Sequence, residues 1–145
     1  MLQPSNTLQP LTSVEMQAIE TFYAAWKAQN PELLERVCTP DWQDIPLGPG
    51  QGPGPTGLGA IITKFTAAFP DVEIIVHEVF GTHERVGVRA EMRFINPHVI
   101  PGALPPGSPV SIAMHEFHYL RDGQLTHTWH LEDGAFQPYA VYALS

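Results

Sequence analysis

The hydrophobic period of this chain changes once, at Pro70, and that change restricts the folds open to it. Upstream, apolar residues recur at helical spacing: Met16, Ile19, Phe22, Tyr23 and Trp26, then Leu33, Leu34 and Val37, then Leu58, Ile61, Ile62, Phe65 and Phe69. Downstream, alternation takes over. It is clearest in residues 85–95, where Val86, Val88, Ala90, Met92 and Phe94 share one parity and Arg85, Arg89, Glu91 and Arg93 the other. Helices followed by an antiparallel meander predict an α+β fold. The N-terminal helices pack on one face of a curved, mainly antiparallel sheet, forming a cone with an internal pocket.

Punctuation residues set the expected boundaries. Thr12-Ser13-Val14-Glu15 reads as a capping box and opens a helix over about 13–29. Asn30-Pro31 starts a short second helix, stopped by Thr39-Pro40. Residues 46–57 form a Pro/Gly loop, Thr56 is placed to cap a third helix, and Pro70 ends it. Strands are expected at 72–80, 85–95, 110–121 and 124–132. Asp122-Gly123 makes a type I′ hairpin between the last two, and a proline-rich loop fills 96–109. Residues 1–12 read as a flexible leader, 13–145 as one domain, and the apolar tail 135–144 as packing back on it.

At 145 residues the chain can build one core and one pocket, burying roughly 70% of its unfolded surface. The formal net charge is −8, and the seven Lys and Arg are scattered, which argues against a track for nucleic acid or adhesion to anionic lipid. No apolar run is long enough to span a membrane, and residues 1–6 carry no secretory pattern, so a cytoplasmic protein is expected. The single cysteine, Cys38, lies in an apolar pattern without a neighbouring base and reads as a packed thiol.

Seven histidines suggest metal at first sight. Yet His115 and His118, like His127 and His130, are three apart on predicted strands and so point to opposite faces. HExxH is absent, and no metal site is expected. Parity puts Val110, Ile112, Met114, Glu116, His118 and Leu120 on one face, apolar with two titratable groups in it; an exposed polar pair on an edge is the alternative for Glu116 and His118. On the next strand His127, Trp129 and Leu131 share a face, and Asp133 follows. A carboxylate at the end of that stripe would be partly desolvated and usable as an acid or base near neutral pH. A solvated turn over Glu132-Asp133-Gly134 is the alternative. Arg89, Glu91 and Arg93 read as a charged sheet face or dimer contact. His98 sits in the stiff proline loop, which could rim a pocket. No nucleophile elbow, P-loop or dinucleotide fingerprint is present.

Phe69-Pro70-Asp71-Val72 after an apolar helix, Val88-Arg89, a histidine before a Pro/Gly loop, and an ending from Asp122-Gly123 through Trp129 to Asp133 together resemble the SnoaL-like polyketide cyclases. These belong to the nuclear transport factor 2-like superfamily, and the similarity in pattern spans roughly residues 14–137. The resemblance implies intramolecular aldol ring closure without metal or organic cofactor. It implies Asp133 as catalytic acid/base, His118 lining the pocket, and Glu116 as its polar partner. The expected site is therefore catalytic Asp133 and His118, with Glu116, His98, Trp129, Met114, Phe22 and Trp26 binding an apolar, carbonyl-containing small molecule. Alternatives are a non-catalytic binding module, with Asp133 only orienting the ligand, and a dimerisation scaffold with a filled cone. A homodimer through the sheet is expected, because three helices cover only one of its faces.

Overall fold

The computed structural model describes residues 9–96 and 105–133. Their order is α1 (Ser13–Ala28), α2 (Glu32–Val37), β1 (Cys38–Ile45), α3 (Gly54–Ala68), β2 (Glu73–Thr82), β3 (Arg85–Ile95), β4 (Pro109–Arg121) and β5 (Gln124–Glu132). The strands form one sheet in the order β1-β5-β4-β3-β2. All neighbours are antiparallel except β1 and β5, which run parallel. The expected α+β arrangement is present, with helices ahead of a mixed sheet that stays open.

Local chemistry explains most boundaries. Thr12 Oγ1 accepts from Glu15 N at 3.1 Å and Thr12 N donates to Glu15 Oε1 at 2.9 Å, so the capping box forms as read. Asn30 Oδ1 accepts from Glu32 N at the start of α2. The third helix differs from expectation. It begins at Gly54 after Pro53, with Pro55 in its first turn, and Thr56 is not its cap. Gly57 is needed there because a Cβ would run into the backbone of Gly52. Asp122 (φ 52°) and Gly123 (φ 80°) both lie in the left-handed region, as a type I′ turn demands. β1 is not predicted by the sequence pattern. Cys38, expected in a helical pattern, is instead its first residue, and burial pushes the thiol up to about 12, so it is a packed and inert group.

The core lies between the helices and one face of the sheet. Ile19, Phe22, Ile62, Phe65 and Phe69 from the helices meet Val88, Ala90, Phe94, Ile112 and Met114 from the strands. β4 alternates without a fault, every even residue from Val110 to Leu120 buried and every odd one exposed. Asp71, inside the Phe-Pro-Asp segment, accepts from Ile95 N and ties the turn after α3 to the end of β3.

Glu15 clamps α1 to the β2–β3 hairpin. Its buried carboxylate accepts from Thr12 N, from His83 Nδ1 and from Glu84 N. Burial works against the charged form, but the bonds from Thr12, His83 and Glu84 outweigh it and hold the carboxyl below its ordinary range. Its contribution is therefore present above the ordinary Glu value and is lost as pH falls through the lowered one. We expect Glu15→Gln to cost about 2 kcal/mol at pH 7, a fall in Tm of about 6 °C. Thermal melts of both proteins should show the gap closing below about pH 4.

Candidate functional site

The pocket opens between α1, α3 and the covered face of the sheet. Phe22, Tyr23 and Trp26 from α1, Leu58, Ile61 and Phe65 from α3, and Met92, Ile112 and Met114 from the strands make its apolar wall. Its polar side gathers Asp44, Gln51, Glu116, Thr128, His130 and Glu132. No Lys or Arg is among these lining residues.

Of the pocket's carboxylates Glu116 is the most withdrawn from water, at 4% exposure. Tyr23 Oη–H donates to its Oε1 at 2.6 Å. Burial, more than any other influence, pushes the Glu116 carboxyl up to about 7. The Tyr23 bond pulls it down, while neighbouring Glu132 and Asp44 push it up. Tyr23 also meets His118 Nε2 at 2.7 Å, and His118 Nδ1 meets Thr128 Oγ1 at 2.8 Å. Burial drives His118 down to about 3, so its ring is neutral.

His130 is the pocket's cation. Its Nδ1 lies 2.7 Å from Glu132 Oε1 and its Nε2 lies 2.6 Å from the Pro46 carbonyl, with Asp44 Oδ1 at 3.4 Å. Burial alone would lower its pKa, but the bond to Glu132 and the charges of Asp44 and Glu132 win and raise it to about 9. Asp44 is itself raised by burial, partly offset by Gln51 Nε2, which donates to its Oδ2 at 2.7 Å. Gly48 N in turn donates to Gln51 Oε1, so the 46–53 loop is folded down onto this carboxylate.

Among the described residues, Glu116, His130 and Glu132 form a group that could hold a metal ion, with ligand atoms within 4.8 Å of one another. Both His130 nitrogens already face oxygen acceptors, so an ion would have to displace a firmly held proton.

The expected residues are distributed unevenly. Phe22, Trp26, Met114 and Glu116 line the pocket. His118 sits behind Tyr23, fully buried. Trp129 is not in the pocket: with His127 and Leu131 it lies on the outer face, stacked on His127 with ring centroids 5.5 Å apart and edge-on to Tyr119 at 4.7 Å. Asp133 is exposed just past β5, its N–H bonded to the Ala113 carbonyl at 2.9 Å. His98 lies outside the described residues.

A bulge explains why β5 is turned over. Leu120 pairs with Leu125, but Tyr119 pairs with His127, so Thr126 is an extra residue. Beyond it Glu116 faces His130 and His118 faces Thr128. Without the bulge Glu116 would face Trp129, the arrangement that simple parity assumes. Tyr23, Asp44, Gln51, Thr128, His130 and Glu132 were not read as site residues from the sequence. Tyr23 carried a signal, being a polar-tipped residue within an apolar helical stripe.

The His130 ion pairs stabilise the fold fully below the ordinary His value of about 6.5, and that contribution fades as pH rises through about 9. We expect His130→Gln to lower Tm at pH 6 to 7, with the deficit closing by pH 10, as melts across that range will record.

The family model of the SnoaL-like polyketide cyclases matches residues 16–137. No curated protein matches the chain. Among solved structures, TsrD from Streptomyces laurentii superposes with a TM-score of 0.74 at 19% identity, covering 92% of this chain and 98% of its own. IdmH, a candidate polyketide cyclase from Streptomyces antibioticus, gives 0.73 at 23% identity over 88% and 98%. A candidate polyketide cyclase from Bacillus cereus gives 0.75 at 18% identity over 98% and 96%. At these identities the superpositions establish the shared fold. No described helix is long and apolar enough to cross a membrane.

Proposed function

Because the chain belongs to the SnoaL-like polyketide cyclase family, we propose that it closes a ring in a carbonyl-containing, polyketide-like small molecule by an intramolecular aldol step. The observation that carries this reading is Glu116, a carboxyl desolvated on the wall of a pocket whose opposite side is apolar, and balanced near neutral pH. Such a group can accept a proton and return it at little cost.

Glu116 as carboxylate takes a proton from the carbon between two carbonyls. The enolate carbon attacks a second carbonyl of the same molecule, forming the carbon–carbon bond. The resulting alkoxide takes the proton back from Glu116, so no other reactant is consumed. His130, charged and with both N–H groups committed to Glu132 and the Pro46 carbonyl, acts on a developing enolate oxygen through its positive field alone. His118, neutral and enclosed, acts through Tyr23. The family resemblance gives the acid/base role to Asp133; the burial of Glu116 and its place on the pocket wall favour this carboxylate for it.

Turnover on a panel of linear 1,3-dicarbonyl polyketide esters, followed as isomerisation to a cyclic product, tests the assignment. Glu116→Gln keeps the shape but cannot take the proton and should lose about 10²–10⁴-fold in kcat, whereas Asp133→Asn should retain most of it. The reverse pattern would return the role to Asp133. Tight binding without turnover in the parent protein would leave a binding module.

Assembly belongs to the same proposal. Phe80, Phe117, Tyr119 and Leu131 stand exposed on the outer face, with the Arg85 guanidinium 3.7 Å over the Tyr119 ring. A homodimer formed through this face would cover them. Light scattering at micromolar concentration should give twice the chain mass, and Phe117→Glu should give the monomer.

A further inference from the structure

Four side chains from four elements form an unbroken line of hydrogen bonds that ends on Glu116. Trp42 of β1 places Nε1 3.0 Å from Thr128 Oγ1 of β5. Thr128 Oγ1 is 2.8 Å from His118 Nδ1, His118 Nε2 is 2.7 Å from Tyr23 Oη, and Tyr23 Oη is 2.6 Å from Glu116 Oε1. All five residues are buried.

The first member sets the direction of the rest. An indole nitrogen can only donate, so Thr128 Oγ1 accepts from Trp42. Thr128 Oγ1 has a second lone pair, but if it also accepted from His118 its own buried proton would face no acceptor in this line; that proton therefore points at His118 Nδ1, which makes the nitrogen the acceptor. In a neutral ring the proton must be on Nε2, where it is donated to Tyr23 Oη. Tyr23, accepting from His118, directs its own proton to Glu116. We propose that Trp42 and Thr128 are positioning residues that hold His118 in its Nε2–H tautomer and, through Tyr23, hold Glu116 as a proton acceptor. The inference rests on the reading of Glu116 as the pocket's acid/base.

The chemical logic is an opposition. Burial raises the Glu116 carboxyl, and the Tyr23 bond is the strongest influence pulling it back. A tyrosine that itself accepts from histidine is a better donor, since hydrogen bonds in a chain polarise one another. If His118 carried its proton on Nδ1, the tyrosine proton would be drawn toward Nε2 and Glu116 would lose its partner. The other titratable groups facing Glu116 are Asp44 from β1 and His130 and Glu132 from β5. α3 and β3 present Leu58, Phe65 and Met92 to the pocket, none of which titrates.

Nuclear magnetic resonance of the full, unliganded chain tests the inference without any substrate. The ¹⁵N–¹H long-range spectrum of His118, assigned by its loss in His118→Gln, should show the neutral Nε2–H tautomer from pH 5 to 8. The side-chain ¹³C carboxyl signal of Glu116, assigned with Glu116→Gln, gives its titration midpoint. In Thr128→Val the tautomer signature should be lost and the Glu116 midpoint should rise by about one pH unit, the effect of removing one hydrogen bond to a charged group. Thr128→Ser should restore both. An Nδ1–H tautomer or an imidazolium at His118 in the parent protein would overturn the proposal, and that reading needs no variant to fold. So would a Thr128→Val protein that melts lower while the Glu116 midpoint stays in place, the mark of a purely structural threonine. Failure of cyclisation would count against the acid/base reading alone and would leave these signals unchanged.

Discussion

The interior depends on the register of β4. It is the central strand, paired along most of its length with β3 on one side and β5 on the other. Its side chains alternate strictly between core and outside. A shift of one residue would bring His115, Phe117 and Tyr119 into the core and expel Glu116 and His118. Hairpin geometry opposes such a shift at one end through Asp122-Gly123. The apolar run Val110, Ile112 and Met114 opposes it at the other, packed against the helices.

That register puts two titratable groups into a core, at a cost in desolvation. The cost is offset in different ways. His118 stays neutral, and both of its ring nitrogens have hydroxyl partners. Glu116 keeps the Tyr23 bond and lies within reach of the His130 charge. Leaving either unpaired would cost about 1–3 kcal/mol or more, so the polar line from Trp42 to Glu116 supports the fold as well as the site. It also explains why Tyr23, rather than phenylalanine, occupies that turn of α1.

Much of the architecture was legible in the sequence because it follows simple periods. The capping box at Thr12, the β3 and β4 alternation and the Asp122-Gly123 turn all formed as read. Two things were not legible. β1 contains Pro40, Asp41 and Asp44, lies at the sheet edge and pairs in parallel with a strand far along the chain, so it offers neither an alternating apolar stripe nor a hairpin signal. The inner face of β5 is Thr126, Thr128, His130 and Glu132, whereas its apolar residues Trp129 and Leu131 point outward. The rule that apolar residues face the core inverts here, where polar groups line the pocket.

The Thr126 bulge produces both halves of that inversion at once. By inserting one residue between Leu125 and His127 it turns the rest of β5 over. On the covered side this exchanges an apolar stripe for Thr128, His130 and Glu132, the hydroxyl that meets His118 and the ion pair beside Glu116. On the outer side it delivers Trp129 and Leu131 to a face that already carries Phe80, Phe117 and Tyr119. An unbulged strand of the same composition would have a greasier pocket and a more polar outer surface. The pocket's titratable cluster and the apolar outer face are thus not independent features of the sequence. One backbone irregularity, with Thr126 Oγ1 donating to the Tyr119 carbonyl at 3.2 Å beside it, sets both, so a change that removed the bulge would alter the site and the outer surface together.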